Sequence, residues 1–200
     1  MSRYKLVVQY DGSEFSGWQL QNKSRTVQGV LENAVQKITN STDRIPVHGS
    51  GRTDAGVHAW AQVAHTDMKL KLDEGGIKRA LNGNLPQDCR IVGVEHTHND
   101  FHARYDAKSR YYRYQCYIGH SILYRNQSWT ISGLNIDFLN TLATKLMGEH
   151  DFLSFCKFRN DLKNTKCTIY HSEWKSDQEM LTFFIGGNRF LHHMIRYLVG

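Results

Sequence analysis

Along this 200-residue chain, apolar positions recur with two different periods, and the same succession of periods occurs twice. YKLVVQYD at 4–11 is short, rich in valine and tyrosine, and stopped by Asp11-Gly12, which predicts a strand. In TVQGVLENAVQKI, Val27, Val30, Leu31, Ala34, Val35 and Ile38 make one helical stripe with Thr26 as the N-cap. A short strand is expected over Arg44–His48. After it, Val57, Ala59, Ala61 and Val63 alternate with His58, Trp60, Gln62 and Ala64, the period of a half-buried strand. A helix over Asp73–Leu81 and a strand over Cys89–His96 complete a β-α-β-β-α-β order.

The second half repeats the order. Tyr111–Tyr117 predicts a strand, and Phe138, Leu139, Leu142, Ala143 and Leu146 a helix ending at Gly148. Cys167–Lys175 and Leu181–Ile185 predict a strand pair turning at Ser176–Asp177. Leu191, Met194, Ile195, Leu198 and Val199 predict a helix over 189–199. The expected fold is α+β: two ferredoxin-like βαββαβ subdomains, 1–104 and 105–200, sharing one mostly antiparallel sheet with helices on one face. The second lacks its last strand, so a chain continuing beyond Gly200 is expected.

Composition narrows the function. Hydrophobic residues make up 40% and charged residues 22%, ordinary for a soluble globular protein. No apolar run approaches the roughly 18–20 residues of a membrane span, and the N-terminus has no signal-peptide pattern, so a cytoplasmic protein is expected. Cys89, Cys116, Cys156 and Cys167 have no zinc or redox spacing. The net charge of +6 points to an anionic partner. It is spread over both halves, with 13 Lys/Arg against 11 Asp/Glu up to residue 104 and 12 against 8 after it.

Three places invite chemistry. In GSGRTDAGVHA at 49–59, Asp54 stands two residues after Arg52 with no second acid, cysteine or serine–histidine pair beside it. A plain turn is the alternative reading. FHARYDAKSRYYRYQCY at 101–117 interleaves Arg104, Lys108, Arg110 and Arg113 with Tyr105, Tyr111, Tyr112, Tyr114 and Tyr117. Cations neutralise phosphates and aromatic faces stack on unpaired bases. Tyr112 and Tyr114 share one strand face and Tyr111 and Arg113 the other, so only one face can meet a ligand without opening the core. On the last helix Arg189, His192, His193 and Arg196, at offsets 0, 3, 4 and 7, form a cationic face opposite the apolar stripe. Cations at a helix start oppose the dipole, and a nearby anion would offset that. His96-x-His98 and His192-His193 have no supporting ligand spacing, so no metal site is expected. Nucleophile-elbow and phosphate-cradle motifs are absent.

GRTDAGVHA, together with YDGSEFSGWQLQ at 10–21, LNGNLPQD at 81–88, FHARYDAKSRYYRY at 101–114 and NRFLHHMIRYLVG at 188–200, resembles the A-type tRNA pseudouridine synthases, in the family's order. The resemblance implies a homodimer acting on the tRNA anticodon stem-loop. It also implies isomerisation of uridine at positions 38 to 40 without metal or cofactor. By resemblance Asp54 is the catalytic carboxylate and Arg196 its cationic partner. Tyr112 stacks on the uracil, and Arg52 fills the space left by the extruded uridine. Asp54 could attack ribose C1′ or uracil C6, or act as a base. Two other readings stand beside this one: a catalytically silent RNA-binding module, and a glycoside or nucleoside hydrolase that uses Asp54 as one of two acids.

Overall fold

The computed structural model describes residues 1–157 and 164–200 and divides the chain into two units, Met1–Ala107 and Lys108–Gly200.

The first unit opens with β1 (Ser2–Tyr10), whose alternate residues Tyr4, Leu6, Val8 and Tyr10 are buried. Helix α1 (Val27–Thr39) starts where the Thr26 side chain accepts from the Gly29 N–H, and ends at Asn40 in a left-handed conformation. Its stripe of Val27, Leu31, Ala34 and Val35 is fully buried. Strand β2 is only His48–Gly49. Residues 44–47 were expected to extend it, but the Val47 N–H goes to the Glu32 carboxylate, which also takes Arg44. Pro46 has no N–H to give to a ladder. Strands β3 (Ala59–Met68) and β4 (Cys89–Thr97) both pair antiparallel with β1, and helix α2 (Glu74–Asn84), capped by Asp73, lies between them in sequence. The sheet order is β2-β3-β1-β4, and α1, α2 and the apolar face of the sheet enclose one core.

In the second unit, β5 (Arg110–Ile118) pairs antiparallel with β9 (Met180–Gly187) and parallel with the three-residue β6 (Trp129–Ile131). β9 pairs with β8 (Lys166–Asp177), and β8 with β7 (Gly148–Asp151). The sheet order is β6-β5-β9-β8-β7. Helix α3 (Ile136–Thr144) and helix α4 (Met194–Val199) contribute Ala143 and Met194 to its core.

The architecture is α+β with sheets that are largely antiparallel. Three expectations need correction. Among the described residues every strand pair lies within one unit, so the strands form two hydrogen-bonded sheets rather than the one shared sheet expected. The β8–β9 turn sits one pair later than expected, at Gln178–Glu179 after the Asp177–Met180 pair, with Gln178 at φ 53°. The last helix begins at Met194, not at 189. His193 is left-handed at φ 64°, and the His192 carbonyl accepts from Lys157 N–H instead of starting a helical turn. Arg189, His192 and His193 therefore precede the helix. The cationic helix face and its conflict with the dipole do not exist.

Candidate active site

In the first unit, residues 50–58 form a loop between β2 and β3 that is held at several points. Ser50 N–H donates to the Val63 carbonyl, and Gln62 bonds both Ser50 Oγ and the Gly51 carbonyl. Trp18 N–H donates to the Thr53 carbonyl at 3.0 Å, and Gly56 N–H donates to the Phe15 carbonyl at 3.3 Å. Asp54 and Ala55 thus bridge two fixed points. Between them, Val57 N–H donates to the Asp54 carbonyl, closing a turn with Gly56 at φ 77°, the conformation that favours glycine at the third turn position. The turn read from the sequence is real, and it holds a half-exposed Asp54 carboxylate at its first position.

The other clamp is the loop 11–18. A Cβ on Gly12 would lie 2.1 Å from the Val57 carbonyl oxygen, and one on Gly17 would lie 2.6 Å from that of Thr53. These glycines let two backbones touch. The buried Tyr10 places its hydroxyl 2.8 Å from Thr53 Oγ1, one residue before Asp54. Loop 11–18 is itself fixed from a third motif. Asp88 accepts two 2.7 Å bonds from Arg25, whose guanidinium lies 4.0 Å above the Phe15 ring, and the Asp88 carbonyl accepts from Asp11 N–H. The Arg25 hydrogen bonds hold the Asp88 carboxyl below its ordinary range. Segments 10–21, 49–59 and 81–88 are therefore one scaffold with Asp54 at its tip. Arg52, in the same loop, is exposed to solvent.

The segment 98–106 crosses the other face of this sheet. Phe101 accepts through its carbonyl from Arg3, and Ala103 N–H donates to Nδ1 of the buried His65. Burial, with His102 and His48 beside it, lowers the His65 pKa to about 4.

Tyr112 and Arg196 belong to the second unit. Tyr112 is half-buried on the core side of β5, edge-on to Phe190 with ring centroids 5.2 Å apart. Arg196 is exposed on α4, and its charge partly counters the upward pull of burial on the Tyr114 hydroxyl. Burial pushes Cys89 up to about 12 and Cys116 up to about 11, which disfavours thiolate chemistry at those two residues. No described helix is long and apolar enough to cross a membrane.

A scaffold built from these motifs is matched by the family described as tRNA pseudouridine synthase, over residues 6–106 and 142–200. The chain belongs to that family. Among its relatives is the tRNA pseudouridine synthase A of Geobacillus kaustophilus, 40% identical over 99% of this chain and 78% of the relative. The enzyme of that name from Limosilactobacillus reuteri is 42% identical over 100% and 80%, and that of Bacillus subtilis 38% over 99% and 81%. As a tRNA pseudouridine synthase the protein is an isomerase that converts uridine to pseudouridine in tRNA. The residues missed from sequence are the scaffold of the synthase loop: Gly12, Gly17, Tyr10, Thr53 and the Arg25–Asp88 pair. Their motifs were visible, but their contacts join positions 35 or more residues apart.

Proposed function

We propose that Asp54 is the group with which this protein isomerises uridine, and that its targets are uridines 38 to 40 of the tRNA anticodon stem-loop. The observation that carries the proposal is the loop of Asp54, tied to Phe15 and Trp18 on either side of a single carboxylate. The N1–C1′ bond breaks and a C5–C1′ bond forms. C5 loses a proton and N1 gains one, so no atom or electron is exchanged and no metal or cofactor is required. Asp54 serves as nucleophile at C1′ or C6, or as the base that opens the glycal route. Arg196 supplies the counter-charge to Asp54, Tyr112 stacks on the uracil, and Arg52 takes the space of the extruded base. The two units act as ferredoxin-like subdomains, divided near residue 104, of a cytoplasmic homodimer.

The test is incubation with unmodified tRNA labelled in uridine, followed by nucleoside analysis. Pseudouridine confined to positions 38–40 is the expected product. Free uracil would indicate a hydrolase, and binding without any product a silent RNA-binding module.

A further inference from the structure

The sheet of the second unit has two faces, and only one packs on its core. Tyr112, Tyr114 and Cys116 on β5 join Leu181, Phe183 and Ile185 on β9 in contact with the helices. The alternate residues Tyr111, Arg113, Gln115 and Tyr117 face the other way. In register beside them on β9, Phe184 stands next to Arg113 and Gly186 next to Tyr111. Glu173 and His171 on β8 continue those rows.

This second face is built to present rings. Tyr111 is 68% exposed, yet it is laid down on the sheet: a Cβ on Gly186 would come within 2.4 Å of its ring. The missing side chain at 186 is what lets the ring lie there. Two residues along β9, the Phe184 ring is half-exposed with Lys175 Nζ 5.5 Å from its centroid. At the far end Tyr117 stacks on Tyr124, with centroids 5.7 Å apart and planes within 27°. From residue 111 to 117 the row runs about 20 Å. Arg113 and Lys175 bring positive charge to it. Of its acids, Glu173 is bonded to Lys175 at 2.7 Å and to His171 at 3.1 Å, and Asp177 lies at the far end, in the row of Tyr117.

A large apolar ring kept in solvent has a cost that packing does not return. Aromatic faces with interleaved cations match unpaired nucleotides, whose bases stack on the rings while the phosphates meet the charges. We propose that this outward face of the second sheet is a stacking platform for unpaired nucleotides of the tRNA. It is separate from the strand face that carries Tyr112. The proposal rests on the reading of this chain as a tRNA isomerase.

The experiment measures tRNA binding and turnover by the full chain at one fixed salt concentration. Tyr111→Ala should raise Kd and KM together, by roughly 5- to 150-fold, the loss expected for one stacked base. Tyr111→Trp should restore binding, and Gly186→Ala, which displaces the ring, should weaken it in the same direction. Photo-cross-linking of wild-type protein to tRNA carrying 4-thiouridine should label the peptide around residue 111. Unchanged Kd in a folded Tyr111→Ala variant that still forms pseudouridine overturns the platform and leaves the isomerase intact. A change in oligomeric state with unchanged Kd overturns it in favour of an interface between copies. A wild-type protein that neither binds nor converts tRNA overturns both readings.

Discussion

Gly17→Ala is the sharpest probe of how the fold holds Asp54. Gly17 sits at φ +89°, where a β-carbon is strained by about 1–2 kcal/mol. The new methyl would also lie 2.6 Å from the Thr53 carbonyl oxygen, 3.2 Å from the Asp54 carbonyl carbon and 3.3 Å from Ala55 N. Ordinary contact begins near 3.4 Å, so the Thr53 carbonyl must retreat by about 0.8 Å. That retreat stretches the 3.0 Å bond from Trp18 and moves the residue that carries the carboxylate. Misplacement of a reacting group on the order of 1 Å costs on the order of 100-fold in rate. Single-turnover pseudouridine formation at saturating tRNA should therefore slow about 30- to 100-fold, and urea unfolding should show a loss of about 1–3 kcal/mol. Gly83→Ala, in α2 with nothing within 4 Å of the added carbon, serves as the control and should not lose stability. A folded Gly17→Ala protein turning over within threefold of the parent would refute the clamp.

Other outcomes follow from the same structure. His65 has a folded pKa of about 4 against an ordinary 6.5, lowered by burial, then by His102, His48 and Arg3, with Asp67 opposing. The folded state favours the neutral ring, so its contribution, up to about 3 kcal/mol, is complete above pH 6.5 and is lost as pH falls toward 4. Urea midpoints at pH 7, 5.5 and 4.5 should fall, with a shallower fall in His65→Gln; parallel slopes would contradict this. Tyr112→Phe should bind tRNA normally and lose rate only where the hydroxyl moves a proton, whereas Tyr112→Ala should also lose about 1–3 kcal/mol of stacking. Equal, mild effects of alanine at 112 and 114 would reject Tyr112 as the stacking residue. Arg196→Lys keeps the charge without the planar fork and should slow turnover, and Arg196→Met should slow it further. Indistinguishable rates for the two would remove Arg196 from the mechanism.

The elements with a full period were legible in the sequence. β1 alternates and α1 carries an unbroken stripe, so local pattern and tertiary burial agree there. The pattern misled where a long-range bond competes with it. Glu32 takes the Val47 N–H and the Arg44 side chain, so of the expected second strand only His48 is paired, with Gly49 beyond it. Leu191 and Met194 are buried three residues apart, as in a helix, but a left-handed His193 separates them. β6 and β7 were missed because short edge strands bury little and leave no alternation to read. At the site, Asp54 stood out as a lone carboxylate in its motif. What fixes it did not, because the need for glycine at 12 and 17 arises only when those residues touch Val57 and Thr53, 45 and 36 positions further on.

The central claim is that one carboxylate, Asp54, carries the reaction. Asp54→Asn keeps the size of the side chain and leaves the loop's backbone bonds in place, so folding and tRNA affinity should stay close to those of the parent. Measured by nucleoside analysis under single-turnover conditions with enzyme in excess, pseudouridine formation should fall by several orders of magnitude. Formation within tenfold of the parent rate by a folded, tRNA-binding Asp54→Asn protein would contradict the account.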